Sequence, residues 1–193
     1  VSNEKDNTIS VIDSLTSKVT NTIKVGQRPR GILLSNDYSK LYICASDDDT
    51  VQVMDIKTNK ILYNLPLGED PEQFALTPDG NELYVSNEED GIVTVVKKKK
   101  KSVLAQIEVG VEPEGMAISP DGSVAINTTE TSNFLHWIDT KTKKIIHNTL
   151  VDQRPRHIEF TKSGDRVWAS SEIGGTVMIV DSTTKESIGK VSF

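Results

Sequence analysis

The feature of this chain that most limits its fold is a period of forty-two residues, which runs without an insertion or a deletion. Four prolines mark the period, one at the same position of each copy: Pro29, Pro71, Pro113 and Pro155. A polar turn follows every proline at a fixed distance, and in two copies it reads Pro-Asp-Gly (78–80 and 120–122). Periods of this kind are typical of solenoids and β-propellers, in which one supersecondary unit stacks on copies of itself.

Within one period, the pattern predicts four short strands and no helix. In the copy at 31–67 we place strand a at 31–35, strand b at 41–45, strand c at 50–56 and strand d at 60–67. Apolar residues alternate with polar ones along strand c, which is the two-residue period of an extended strand. Because polar turn residues separate the strands, each copy predicts one antiparallel sheet of four strands.

A single sheet of this size leaves two faces and two edges unprotected. Stacking such sheets around an axis covers the faces and leaves only short edges. We therefore predict an all-β fold, a β-propeller of four-stranded antiparallel blades; a superhelical stack of sheets is the alternative. The blades form one domain, 1–193, divided as 1–25 (strands b to d only), 31–67, 73–109, 115–151 and 157–193. Repeats of this length most often form seven blades, so we expect this chain, with about four and a half blades, to be an arc of a larger ring.

Composition and motifs disfavour several classes of protein. The net charge is −6, from 22 basic and 28 acidic residues, which argues against a nucleic-acid partner or a membrane-surface binder. No segment approaches the roughly 20 apolar residues that span a bilayer, so no membrane insertion is predicted. The single cysteine, Cys44, excludes an intrachain disulfide. No zinc-protease, paired-cysteine or phosphate-loop motif is present, so we predict no metal site and favour a binding protein over an enzyme.

Several segments of the chain resemble known propeller families. The segment 84–87, Tyr-Val-Ser-Asn, resembles the repeat of the YVTN β-propeller family. The segments 1–8, 25–31, 111–116 and 152–156 are similar, in the same order, to β-propeller proteins associated with PQQ-dependent alcohol catabolism. That resemblance implies a periplasmic or secreted seven-bladed propeller that works beside a quinoprotein dehydrogenase or a c-type cytochrome. It also implies no cofactor of its own, since PQQ or haem would belong to the partner.

In a propeller, the loops that enter strand a and the loops that join strands b and c meet at one end, around the central channel. This end, called the rim below, has charges that change from blade to blade. Arginines flank two of the four prolines, carboxylates flank the other two, and a glutamate recurs in the b–c loops. The candidate residues for binding a ligand or a partner are Arg28, Arg30, Glu72, Glu114, Arg154, Arg156, His157, Glu4, Glu88, Glu130 and Glu172.

The rim allows two interpretations. In the first, paired arginines hold a carboxylate or an acidic patch through forked hydrogen bonds, and the acidic arc binds a cation or a basic cytochrome surface. In the second, the charges keep an exposed rim soluble, and the arginines pair with neighbouring carboxylates. His157 stands at the start of a strand a, where it can face the channel.

Five consecutive lysines, 97–101, interrupt the repeat without changing its length. In other copies this turn reads Asp-x-x-Thr, as at Asp55 and Asp139, and its side chains can bond nearby backbone groups. Three interpretations are open: a polybasic binding patch, a solvated loop, or residue identities that differ from the natural ones.

Three functional hypotheses follow. The resemblance favours a non-catalytic periplasmic propeller that acts as a binding or scaffold protein in PQQ-dependent alcohol oxidation. The first alternative is a propeller enzyme, either a lactonase-like hydrolase or a cofactor-bearing oxidoreductase, with a metal or chromophore held by Glu and His in the channel. The second alternative is a cell-surface structural repeat protein, as other YVTN arrays suggest.

Overall fold

The computed structural model describes all residues, 1–193, as 19 strands in five antiparallel sheets. The strands are β1 Ser2–Asn3, β2 Thr8–Asp13, β3 Lys18–Lys24, β4 Pro29–Leu34, β5 Lys40–Ala45, β6 Thr50–Asp55, β7 Lys60–Pro66, β8 Pro71–Leu76, β9 Glu82–Asn87, β10 Ile92–Lys97, β11 Ser102–Glu108, β12 Pro113–Ile118, β13 Val124–Thr129, β14 Phe134–Asp139, β15 Lys144–Leu150, β16 Pro155–Phe160, β17 Arg166–Ser171, β18 Thr176–Asp181 and β19 Ser187–Ser192. Two single turns of 3₁₀ helix, Glu4–Asp6 and Ser46–Asp48, are the only helices.

Each sheet is one blade, and its strands pair in chain order. Blade I comprises β1–β3, and the four-stranded blades II to V comprise β4–β7, β8–β11, β12–β15 and β16–β19. Strand a of each blade lies next to strand a of the following blade, with β4 beside β8, β8 beside β12, and β12 beside β16. The predicted fold class, an all-β propeller of four-stranded antiparallel blades, is confirmed. None of the helices is long and apolar enough to cross a membrane.

Strand a begins at the repeat proline, two residues before the predicted start of each blade. A proline can begin a strand because it has no N–H to donate to the ladder. The pairing is irregular just after it: Pro29 faces Ala45, and the next pair is Ile32 with Ile43. A bulge of this kind bends the strand and redirects side chains. Arg30 therefore lies within a strand at the rim, and not in a free loop.

Neighbouring blades enclose apolar cores between their faces. Repeat position predicts that both tryptophans pack there. Trp137 does: it is fully buried, its ring meets Phe160 of the next blade edge-on at 6.4 Å, and its indole N–H donates to Thr149 Oγ1 at 2.9 Å. Trp168 is 41% exposed, whereas the residues at the same repeat position of blades II to IV, Tyr42, Tyr84 and Ile126, are buried. Of the two tryptophans, only Trp137 is therefore buried between two blades as predicted.

The end of the blades opposite the rim is closed by tight polar turns. In the Asp-x-x-Thr turns, the aspartate accepts the threonine N–H, at 2.7 Å from Asp55 to Thr58 and at 2.6 Å from Asp139 to Thr142. The turn of lysines has no such acceptor. Its first member, Lys97, lies 3.3 Å from Glu82.

Candidate functional site: the charged rim

The loops of the rim are fixed by hydrogen bonds between blades. The residue before each repeat proline has a positive φ, which is unfavourable for a side chain other than glycine: Arg28, Asp70, Glu112 and Arg154. The N–H of Arg28 donates to Asn7 Oδ1 of the preceding blade at 2.9 Å, and that of Arg154 donates to Asn133 Oδ1 at 2.9 Å. The proline loops at Arg28 and Arg154 are thus held against the b–c loop of the preceding blade, so their charged side chains project from an ordered backbone.

Charge is divided unequally between the two ends of the propeller. The rim loops (1–7, 25–30, 46–49, 67–72, 88–91, 109–114, 130–133, 151–157 and 172–175) contain sixteen carboxylates and five basic residues. The turns of the opposite end, counted with the strand residue on either side of each, contain ten carboxylates and fifteen basic residues, five of which are the lysines 97–101. The rim is therefore strongly acidic, although the chain as a whole carries a net charge of only −6.

Arginines of blade II reach carboxylates of three other blades. Arg30 Nε lies 2.6 Å from Glu72 Oε2, its Nη2 lies 3.2 Å from Glu114 Oε1, and its Nη1 lies 3.5 Å from Glu4 Oε2. Arg28 lies 3.1 Å from Glu72 and 3.2 Å from Asp70. Because Glu72 is fully buried and receives no charge screening from water, these guanidinium groups are what balances its negative charge.

Arginines of blade V make the corresponding contacts with blade IV. Arg156 Nη2 lies 2.7 Å from Glu130 Oε1 and 3.3 Å from Glu114 Oε1. Its Nε lies 3.0 Å from Glu172, and Arg154 Nε lies 2.6 Å from Glu130 Oε2. Alternating arginine and glutamate side chains thus form a continuous row along the rim from blade I to blade V.

Two pairs of carboxyl groups stand close together within this row. Oxygens of Glu72 and Glu88 lie within 4.8 Å of each other, and Glu114 and Glu130 both contact Nη2 of Arg156. Burial raises the pKa of Glu72 well above its ordinary value, and the nearby Glu114 raises it further. Burial also raises the pKa of Glu114 to about 7, against the opposing effect of Arg156 and Arg30. Like charges this close are costly to ionise together, so the neighbouring carboxyl group favours the protonated form of Glu72 and of Glu114.

Some buried oxygens in the row have an ionic contact but no hydrogen bond. Glu72 Oε2 and Glu130 Oε1 are close to guanidinium nitrogens, but the angles are poor. Carboxylate oxygens of Asp70, Glu72 and Glu88 lie within 4.8 Å of one another, a donor set that suits a hard cation. Arg28 and Arg30 already contact the oxygens of Asp70 and Glu72, so guanidinium groups supply the positive charge there.

The structure brings ten of the eleven candidate residues into this row or against it. The exception is His157, which is exposed and makes no side-chain hydrogen bond. All four arginines contact the protein's own carboxylates, as in the second interpretation of the rim, so its excess charge is negative. The sequence reasoning missed His136, which is buried in blade IV and hydrogen-bonded to two polar side chains, Thr129 and Asn148. Its signal in the sequence is a histidine at a repeat position that holds none in the other blades.

The blade architecture and the rim define this chain as a β-propeller protein. More closely, the chain belongs to the family described as "Lactonase, 7-bladed beta-propeller", whose model matches residues 1–112. The coarser part of the sequence resemblance, a β-propeller repeat family, is thereby confirmed.

Among solved structures, a chain of Kuenenia stuttgartiensis hydrazine synthase is similar to this one, with a TM-score of 0.82 and 30% sequence identity. The similarity covers 86% of this chain and 49% of that chain, so the present chain spans about half of the length of that relative. A comparison with curated proteins finds no match.

Proposed function

We propose that this propeller is a non-catalytic binding or scaffold protein that docks a positively charged partner on its rim. The observation that supports this most directly is the excess of sixteen carboxylates over five basic residues in the rim loops. Such a surface attracts a basic partner over a distance of about a Debye length, which speeds encounter and selects partners by charge.

The arrangement of the rim charges favours docking over recognition of an anion. The four arginines form ion pairs with Glu72, Glu114, Glu130 and neighbouring carboxylates, so their positive charge is neutralised within the protein. Exposed carboxylates such as Glu69 and Glu89 have no ionic partner. These outer carboxylates give the rim a negatively charged surface above the row of arginine–glutamate ion pairs.

The partner we propose is a quinoprotein dehydrogenase or a c-type cytochrome, in a periplasmic or secreted system for PQQ-dependent alcohol oxidation. The support is the sequence resemblance of the segments 1–8, 25–31, 111–116 and 152–156. In this proposal, PQQ or haem belongs to the partner, and the propeller supplies a surface.

The test is binding to a c-type cytochrome with a basic surface, measured by surface plasmon resonance at low and at high salt. We expect binding that weakens as salt rises, and a several-fold slower association rate for Glu89→Lys, a charge reversal on the rim. Glu186→Lys is the matched control, since it makes the same charge change on an exposed residue at the opposite end. Equal rates for the two variants, or binding that salt does not affect, would refute docking on the rim.

A second candidate function, a lactonase-like hydrolase, is favoured by the family match over residues 1–112. Its test is the release of acid from a simple six-membered lactone, followed at constant pH with the purified chain. Hydrolysis above the rate of a heat-denatured sample would support it. A rate equal to that of the denatured sample would count against this candidate and would leave the docking proposal in place.

A further inference from the structure

Blade IV contains a row of four hydrogen-bonded side chains in which a serine, a threonine, a histidine and an asparagine follow one another. The hydroxyl groups of Ser132 and Thr129 are in contact. Thr129 Oγ1 lies 3.0 Å from His136 Nε2, and His136 Nδ1 lies 2.9 Å from Asn148 Oδ1. Thr129 and His136 are buried, whereas Ser132 is partly exposed in the b–c loop.

The asparagine sets the direction of these hydrogen bonds. An amide oxygen can only accept, so Nδ1 of His136 carries the proton that reaches Asn148 Oδ1. The other ring nitrogen, Nε2, is then unprotonated and accepts from Thr129, which in turn accepts from Ser132. Burial lowers the pKa of His136, so the ring is neutral at pH 7 and able to take up a proton. A hydroxyl, a base and a group that orients the base thus stand in the order that nucleophilic catalysis requires, with one extra hydroxyl as a relay.

The residues of this row in blade IV differ from the residues at the same repeat positions of the other blades. In blades II and III the position of Ser132 is an aspartate with a structural role: Asp48 accepts the N–H of Gln27 at 2.8 Å, and Asp90 accepts the N–H of Glu69 at 2.7 Å. Ser132 makes no such bond, and its hydroxyl turns to Thr129 instead. The histidine position is equally variable, and the residues at it in the other blades are Ser10, Gln52, Thr94 and Met178.

The surroundings of Ser132 leave room for a reacting group. The N–H groups of Thr131 and Ser132 donate to no protein acceptor, so both are free to bond to a developing oxyanion. Beside the turn lies an open cavity of about 400 Å³ that is lined by Thr131 and Asn133, the two chain neighbours of Ser132. The other lining residues are Glu112, Glu130, Gln153, Arg154 and Ile173.

We propose that Ser132 is a nucleophilic serine and that this turn of blade IV is an acylation site for small activated esters. In the step, Ser132 Oγ bonds to the carbonyl carbon, its proton passes to Thr129, and the proton of Thr129 passes to His136 Nε2. The bond between the carbonyl carbon and the alcohol oxygen breaks, and the departing oxygen takes a proton from Thr129, which is reprotonated by His136 Nε2. The products are acyl-Ser132 and the free alcohol. Asn148 acts as a positioning residue, because it touches only the histidine.

The experiment is acetylation by p-nitrophenyl acetate, with release of nitrophenol followed by absorbance and the modified residue located by peptide mass spectrometry. We expect a burst of one nitrophenol per chain and an acetyl group on Ser132. Ser132→Ala should abolish the burst, and Ser163→Ala should retain it, since Ser163 is an exposed serine held by Asp165 with no imidazole beside it. The burst rate should rise with pH as His136 loses its proton and then level off.

The relay is tested with a matched pair at Thr129. Thr129→Val keeps the shape of the side chain but removes the hydroxyl, and should slow acetylation about 100-fold. Thr129→Ser keeps the hydroxyl and should retain most of the rate. Acetyl groups found only on lysines, or equal rates for folded Thr129→Val and Thr129→Ser, would overturn the proposal. None of these outcomes depends on cytochrome binding at the rim, so the two proposals can fail separately.

Discussion

Arg30 and Glu72 join two blades through a contact of 2.6 Å between Nε and Oε2. The glutamate is fully buried, and the arginine also reaches Glu114 of the next blade. One side chain of blade II therefore compensates carboxyl groups of blades III and IV, and the stability of the rim depends on it.

Arg30→Ala should lower the free energy of unfolding by about 3 kcal/mol at pH 8, because it leaves buried carboxyl groups without a partner. The loss should be smaller at pH 5, where those groups are protonated more readily. Urea denaturation measures both values. Arg166→Ala is the control, since this exposed arginine lies 3.8 Å from an exposed Asp165 and should contribute less than about 1 kcal/mol. A loss for Arg30→Ala that is also below about 1 kcal/mol would show that the buried row adds no stability.

Stability should decrease as pH rises from about 4.5 to about 7, because Glu114 has a folded pKa of about 7 against an ordinary value of 4.5. In this window the folded chain holds a proton that the unfolded chain has lost, so raising the pH favours unfolding. Glu114→Gln should flatten this dependence in urea titrations at several pH values. An unchanged slope in Glu114→Gln would be inconsistent with a proton held at this position.

Trp137→Ala should cost about 3 to 5 kcal/mol, because it removes a fully buried ring from the core between blades IV and V and leaves a cavity. Trp168→Ala makes the same chemical change at a side chain that is 41% exposed, and should cost less than about 1 kcal/mol. Thermal and urea denaturation of the pair compare the two sites directly. A loss below about 1 kcal/mol for Trp137→Ala as well would mean that the core between blades IV and V contributes little.

Replacing the first and fourth residues of the lysine turn, with Lys97→Asp and Lys100→Thr together, should raise the unfolding free energy by about 1 kcal/mol, since the new aspartate can accept a backbone N–H. The acceptor would bond the N–H of residue 100, as Asp55 accepts that of Thr58 at 2.7 Å, and the change would also remove repulsion between lysines. Lys98→Asp with Lys99→Thr removes the same charge but supplies no acceptor at the required position. If both doubles stabilise equally, repulsion alone accounts for the effect.

The sequence predicted the strand boundaries nearly correctly, because strands and turns are determined by residues that are close together in the chain. The repeat period and the turn residues identify strands b, c and d to within one or two positions in the copy at 31–67. Strand a was placed two positions late, since a proline was assigned to the loop. The bulge that follows the proline depends on pairing with strand b, which a local pattern does not show.

The sequence predicted which residues form the candidate site but not which of them contact one another. Repeat position alone placed ten of the charged residues on one rim, because loops that join equivalent strands lie at the same end. It did not show that Arg30 forms ion pairs with both Glu72 and Glu114, which lie one and two repeats further along the chain. It gave His157 more weight than His136, since burial beside Thr129 and Asn148 is a property of the packed blade.

The sequence by itself determined a repeating sheet, its turns and the end of the sheet on which the charges lie, because these follow from contacts within one repeat. Only the tertiary structure decided which charges meet, which carboxyl groups keep a proton and which histidine is buried beside hydroxyl groups. The physical reason is that these properties arise from desolvation and from contacts across blade boundaries, and both exist only when the blades are stacked.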